Sequence, residues 1–497
     1  MKARTLTGIS ALPLLLASAA EGSQQRNNVL YIMTDQQSWY AISAITQNLG
    51  PSAPYGNIQK FKTPNLDRLV KSGYTFSNCY AASPVSGPSR FALLTGESPN
   101  SYGMSGNFTP KGERMPEMIK ARAMGNLFKN AGYQTFYGGK VHLPWANGNS
   151  GKGSIYEPPY LYGFDTCLTD DDRQELAQKG SAFFSEYKGK EPFLLFLSFM
   201  NPHDICAAGF FFSDKRVEDA EPDAARERTN QVRYREIYKS IDPKLFEGDD
   251  LAKLPVNTAP TDRYPIHRFK RFFRPDQYQN KVLIWLYYRL VEEVDGQIGQ
   301  VLDALEKSPY KDNTTIIFTS DHGEMGGSHD LTGKNVPYQE CQRVPLIFAG
   351  KGIQKGVIDN TTPVCNGWDM LPTMLQLSGV AIPKELHGMS LCKTITGGAP
   401  LSRKYLYLET TNSYGVIENG RYKYTRFVES DFARLEDGSE ALVDLEKDPY
   451  EMHNLVFDKS AAAKLNEMRA ALAAEMKLRG TTLDPIYSPG AGPKANK

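Results

Sequence analysis

Asp35 and Asp321 each close a short apolar run, and each is followed by a second side chain able to ligate, Gln36 and His322. Carboxylate oxygens are hard donors suited to a divalent cation such as calcium. The Gln36 amide oxygen would extend that set, whereas the softer His322 nitrogen leaves magnesium, manganese or another ion open. A third position, Ser86 in Pro84-Val85-Ser86-Gly87-Pro88-Ser89-Arg90, stands just before what Pro88 marks as the first turn of a helix. Backbone N–H groups and the helix dipole favour an anion there, although a serine alcohol by itself is a weak nucleophile that needs an activating base. Two further apolar runs end in Gly138-Gly139-Lys140-Val141-His142 and Asn201-Pro202-His203-Asp204. A lysine and two imidazoles that ordinarily titrate near neutrality therefore occupy comparable places. Taken singly, each has an ordinary role: a cap for Ser86, a turn for either aspartate, a solvated charge for the lysine, a satisfied structural residue for each histidine. Their shared placement points to chemistry on an anionic group beside a cation.

The elements that must position these residues follow from the same runs. Asn28 to Thr34, Tyr133 to Tyr137, Pro192 to Met200 and Thr314 to Ser320 read as buried strands, with helical spacing in Thr63 to Ser72 and Tyr288 to Leu305. This alternation predicts an α/β fold with a large mixed, mostly parallel sheet flanked by helices. Ligands of such sheets bind beyond the carboxyl ends of the strands, so four strand ends are expected to converge on one site. Residues 207–274 break the pattern with charges, Pro and Asp, and read as a surface insertion beside that site. After a Gly/Pro-containing linker, Lys404 to Glu409, Tyr414 to Glu418, Arg421 to Phe427 and Ala441 to Leu445 read as short strands. Asn419-Gly420 is a type I′ hairpin turn, and Ala461 to Arg479 an amphipathic helix. The expected organisation is a catalytic domain over 24–395, a small antiparallel-sheet-plus-helix subdomain over 396–485 and a flexible tail over 486–497.

Composition narrows the class. Lys plus Arg number 57 against 56 for Asp plus Glu, so no global field draws the chain to nucleic acid or a membrane surface. Lys2 and Arg4, the apolar stretch Ile9 to Leu16 and Ala17-Ser18-Ala19 form a signal-peptide pattern over 1–19, which predicts export to the periplasm or beyond. No later stretch reads as a membrane span. The six cysteines lie far apart with no CxxC pair, which argues against a thiolate zinc site and favours buried thiols.

The stretch from Pro84 to Gly96 (PVSGPSRFALLTG) resembles the signature of formylglycine-dependent type I sulfatases of the alkaline phosphatase-like superfamily, in its Ser form. Gly139-Lys140-Val141-His142 is similar to the family's G-K-x-H motif and Pro202-His203 to its P-H motif. The stretch from Asp321-His322-Gly323-Glu324 through Gly333-Lys334 to Arg343-Val344-Pro345-Leu346 looks like the same family, as does Asp448-Pro449-Tyr450-Glu451 near the end. The resemblance covers nearly all of the chain after the signal segment, except the insertion after His203, and implies a bacterial carbohydrate sulfatase. It implies that an anaerobic maturation enzyme oxidises Ser86 to Cα-formylglycine, with Arg90 as its anchoring partner. One hydroxyl of the hydrated aldehyde would attack sulfur; deprotonation of the other would then expel sulfate. It places one divalent cation, calcium in the family, among Asp35, Gln36, modified Ser86, Asp321 and His322. Lys140, His203 and Lys334 would bind sulfate, His203 would also protonate the departing alcohol, and His142 would take the proton that releases sulfate. His329 is expected to face the pocket. The implied substrate is a sulfated mono-, oligo- or polysaccharide.

Two other functions fit parts of this pattern. A phosphatase or phosphonate monoester hydrolase of the same superfamily would also use a metal and a nucleophile at a helix start. Two-zinc phosphatases, however, need more His and Asp ligands than these motifs supply. A protein that binds sulfated glycans without turning them over would need no intact set of Lys140, His142, His203 and Lys334.

Overall fold

The computed structural model describes residues 26–49, 61–104, 106–107, 114–146, 156–173, 175–207, 277–329, 331–428 and 440–482. The expected signal segment, nearly all of the insertion and the C-terminal tail lie outside them. Nine strands form the main sheet: β1 (Asn28–Asp35), β2 (Gly73–Tyr80), β3 (Gln134–Gly139), β4 (Thr166–Cys167), β5 (Phe193–Pro202), β6 (Thr314–Ser320), β7 (Arg343–Gly350), β8 (Val357–Asp359) and β9 (Val364–Cys365). Their order is β4-β3-β5-β1-β6-β7-β2-β8, with β9 also on β2, and only the pairs made by β7 are antiparallel. All four anticipated core strands are present and parallel.

β1 shows why an unbroken apolar run becomes a strand here. Leu30 and Ile32 enter one core with Val291, Val294 and Ile298 of the Gln277–Glu306 helix, whereas Val29, Tyr31 and Met33 enter the other with Phe91, Leu94 and Met374. A strand buried on both faces needs apolar residues at both parities. The long helix begins before the expected Tyr288, at Gln277. Five sheet strands escaped the sequence reading: β2, β4, β7, β8 and β9. β2 (GYTFSNCY) interleaves polar and apolar residues yet is buried throughout, and β7 runs against its neighbours between β6 and β2.

A second sheet follows in the order β10 (Tyr405–Thr410), β11 (Ser413–Glu418), β12 (Tyr422–Phe427), β13 (Glu440–Asp444), all antiparallel. Asn419 and Gly420 have φ of 47° and 74°, the left-handed pair that a type I′ turn requires. Leu465, Met468 and Leu472 of the Ala462–Leu478 helix pack on this sheet. The two units share one apolar cluster, in which Tyr80, Ala92 and Trp368 meet Leu406 and Tyr407, and Trp368 Nε1 donates to the Tyr407 carbonyl at 2.9 Å. All six cysteines are free thiols, and among the described residues no helix is long and apolar enough to cross a membrane.

Candidate active site

Arg90 organises the site. It lies one turn along the Ser86–Thr95 helix from Ser86, hence on the same face, and is fully buried. Its Nη2 donates to Asp35 Oδ2 at 2.8 Å and its Nε to Asp321 Oδ2 at 2.9 Å, while Nη1 donates to the Lys140 carbonyl at 2.9 Å and to Ser198 Oγ at 2.8 Å. One guanidinium thus joins the ends of β1, β6 and β3 to β5, the convergence expected from the open sheet. Its planar fork of five donors suits this better than a lysine's point charge.

Ser86 is the first helical residue; Val85 holds the cap position, and no side chain caps the helix. The hydroxyl is therefore not a cap. It stands 3.4 Å from Asp35 Oδ2, 3.1 Å from His322 Nε2 and 3.5 Å from Lys334 Nζ. Gly87 N–H, exposed by the helix start, donates to Asn107 Oδ1 at 2.8 Å. Lys140 Nζ lies 2.7 Å from Asp35 Oδ2. Lys334 Nζ donates to Gln36 Oε1 at 2.8 Å and lies 4.0 Å from Asp35 Oδ1.

Ligand atoms of Asp35, Asp321 and His322 lie within 4.8 Å of one another, all buried. Asp35 Oδ1 is a buried acceptor with no hydrogen-bond partner. Two carboxylates, one of them carrying this orphaned oxygen, and an imidazole nitrogen fit a divalent cation. Gln36, with φ of 71°, turns its amide beside them; its nitrogen donates to Glu324.

Electrostatics follow from burial. Desolvation alone would raise the Asp35 carboxyl, but Lys140, His203, Lys334 and Arg90 outweigh it and hold the group well below the usual carboxylate range. Asp321 is pushed up to about 6 by burial and by the neighbouring Asp35 charge, against Arg90. Burial, then Lys140 and Arg90, lowers His142 well below its ordinary value; burial, then Lys140 and Lys334, does the same to His203; burial and Lys334 depress His322. All three imidazoles are neutral at pH 7 without substrate. His142 also has a left-handed φ of 47° and a buried Nδ1 without a partner.

All ten anticipated residues, Asp35, Gln36, Ser86, Arg90, Lys140, His142, His203, Asp321, His322 and Lys334, share this site through the contacts and fields above. His329 does not. It is buried, stacked on Tyr338 at 3.8 Å, with its Nε2 3.9 Å from Glu340 Oε1 and with Glu451, Lys423 and Asp448 of the C-terminal unit as further charged neighbours. Several supporting residues were not anticipated. Ser198 is the one polar residue in the run PFLLFLSFM, a usable signal. Ser89 Oγ donates to the Asp321 carbonyl at 2.5 Å. Arg173 clamps Asp204, the neighbour of His203, with Nη2 to Oδ1 at 2.7 Å and Nε to Oδ2 at 3.0 Å, and nothing near Arg173 in sequence announces it.

A family model described as Sulfatase matches residues 27–380, and one described as N-sulphoglucosamine sulphohydrolase, C-terminal, matches 327–478. The chain is 29% identical over 483 residues to a Delta 4,5-hexuronate-2-O-sulfatase of Bacteroides thetaiotaomicron, covering 92% of this chain and 90% of that one. It is 28% identical to an N-acetylglucosamine-6-O-sulfatase of the same organism, covering 95% and 90%. The solved structure of a 2-O GAG sulfatase superposes with a TM-score of 0.71 at 25% identity over 92% and 93% of the two chains. A constellation of buried carboxylates, lysines and imidazoles around one serine, on a chain that a single family model spans for most of its length, makes this protein a member of the sulfatase family of sulfuric ester hydrolases.

Proposed function

We propose that the chain hydrolyses an O-sulfate ester of a sulfated carbohydrate, acting through Ser86 in its formylglycine form. The observation that carries this reading is the Ser86 hydroxyl held among Asp35, His322 and Lys334 above the Arg90 bridge. The sulfated sugars named for its relatives give the substrate class. As its hydrate, the modified residue supplies the oxygen that bonds to sulfur as the sulfur–alcohol bond breaks, and loss of its second hydroxyl proton then releases sulfate and restores the aldehyde, which water rehydrates. Asp35, Asp321, His322 and the Gln36 amide oxygen would hold a divalent cation, calcium in this proposal, and that ion would supply positive charge to the sulfate. Lys140 and Lys334 bring two ammonium groups to the sulfate oxygens, electrostatic work that counts most where water is excluded. His203 begins neutral. The entering sulfate offsets the two lysines that depress it, so the imidazole takes up a proton from solvent, matched by the one the attacking hydroxyl releases, and passes it to the departing alcohol. His142, also neutral, accepts the proton whose loss frees sulfate.

The modification is attributed to an anaerobic maturation enzyme, and residues 1–19 to export into the periplasm or beyond. The test pairs chemistry with mass. Protein from a host with that enzyme should show a Ser86 peptide lighter by two hydrogens and hydrolyse sulfated mono- and disaccharides; without the enzyme it should be inactive. Faster turnover of phosphate than of sulfate esters of the same alcohol, or plain serine in an active preparation, would overturn the proposal.

A further inference from the structure

The loop carrying Lys334 is pinned on both sides. Before it, Gly333 N–H donates to Glu324 Oε1 at 2.6 Å, and the Gly333 carbonyl accepts from Met325 N–H at 2.8 Å. After it, Asn335 adopts a left-handed φ of 70°, and its N–H donates at 3.0 Å to the carbonyl of Pro84, two residues before Ser86. The Asn335 side chain does not enter the site. It turns away to the C-terminal unit, where its Nδ2 donates to Thr411 Oγ1 at 2.8 Å and its Oδ1 stands 3.0 Å from the same hydroxyl and 3.4 Å from Thr411 N–H. One hydroxyl can accept from the amide nitrogen while donating to the amide oxygen, so Thr411 occupies both edges of the amide at once.

Thr411 is itself held still. It lies in the turn between β10 and β11, where Thr410 Oγ1 and Ser413 Oγ are 2.9 Å apart and Asn412 N–H donates to Thr410 Oγ1 at 3.1 Å. That hairpin is anchored back to the segment after the Ser86–Thr95 helix: Asn100 Nδ2 donates to the Thr410 carbonyl at 3.1 Å, and Glu409 accepts from Ser98 Oγ at 2.7 Å and from Asn100 N–H at 2.9 Å. The chain segments before and after Ser86 and the hairpin therefore close a ring whose fourth side is Asn335, the covalent neighbour of Lys334.

We infer that Asn335 and Thr411 form a positioning pair through which the C-terminal sheet sets the Lys334 ammonium 3.5 Å from Ser86 Oγ. Neither residue touches the reacting atoms. The inference rests on the proposed role of Lys334 in holding sulfate, and it makes the C-terminal unit part of the anion site without lending it a contact to the anion.

The test uses full-length protein with Thr411→Val, which keeps shape but loses the hydroxyl, Thr411→Ser, which restores it, and Asn335→Gly, which keeps the left-handed backbone and the bond to Pro84 but loses the amide. The readouts are KM and kcat for a sulfate ester, the dissociation constant of inorganic sulfate by calorimetry, and the melting temperature. Loss of the amide–hydroxyl bonds should weaken sulfate binding and raise KM together by about tenfold in Thr411→Val and Asn335→Gly, with melting within a few degrees of the parent, and Thr411→Ser should recover most of it. Unchanged sulfate affinity in both, a loss confined to kcat, or failure of Thr411→Ser to recover would overturn the inference. Should Thr411→Val not fold, Asn335→Gly carries the same comparison. Sulfate binding by calorimetry needs no turnover, so a parent protein that binds sulfate through this pair yet cleaves no sulfate ester would defeat the proposed function and leave the positioning pair standing.

Discussion

At the scale of single residues, Arg90 shows how much depends on one side chain. It neutralises two buried carboxylates and satisfies two more acceptors, so Arg90→Ala takes from Asp321 its guanidinium partner and leaves Asp35 to Lys140 and Lys334 alone. Removing one partner from a buried ion pair costs about 3–5 kcal/mol. Urea unfolding should register a loss of that size, and Arg90→Lys should recover less than half, because an ammonium cannot span the acceptors that a fork reaches. A loss under 1 kcal/mol for Arg90→Ala would refute this account. Asp35, Lys140 and Asp321, which meet at Arg90, were legible because each stands where an apolar run stops, whereas Ser198 sits inside one. Thr411 was not legible. It meets Asn335 across 76 positions of chain and is one threonine among several, so nothing in type or spacing marks it.

At the scale of elements, the four parallel strands could be read because burial on both faces demands continuous apolar sequence, while β2 hid behind Thr75, Ser77 and Asn78, polar residues buried in the sheet. Delivery of Lys140 depends on how closely β3 approaches β5. Gly139 has φ of 87°, and a Cβ there would stand 2.2 Å from the Ser198 carbonyl oxygen. Gly132 has nearly the same φ, 85°, with nothing within 4 Å of its Cβ position. Gly132→Ala should therefore lose only the backbone term, about 1 kcal/mol. Gly139→Ala adds a backbone clash that pushes the Lys140 segment off its carboxylate, and should lower both the melting temperature and sulfate affinity well beyond the Gly132 variant. Equal melting temperatures for the two would show that the strand approach is not tight.

At the scale of the whole molecule, the seam between the two units carries its own titration. His329, stacked on Tyr338, faces the Lys423–Glu451 ion pair of 2.7 Å, and burial lowers its pKa to about 4. An unfolded chain holds the same imidazole near 6.5, so below that pH the unfolded state binds more protons. Stability from this residue is intact above 6.5 and is lost as pH falls through the folded value, a swing of about 3 kcal/mol. His329→Asn, which tolerates the left-handed φ of 54°, should narrow the difference in unfolding free energy between pH 7 and pH 4 by about that amount. An unchanged difference would place the acid sensitivity elsewhere. The seam also reflects how completely the molecule closes over its own centre. Every residue of the helix that begins at Ser86 is buried, and Ser86 itself has no accessible surface. Anything that reacts at this side chain, a sulfate ester included, has first to displace the groups that cover it, so the motion that uncovers Ser86 precedes chemistry.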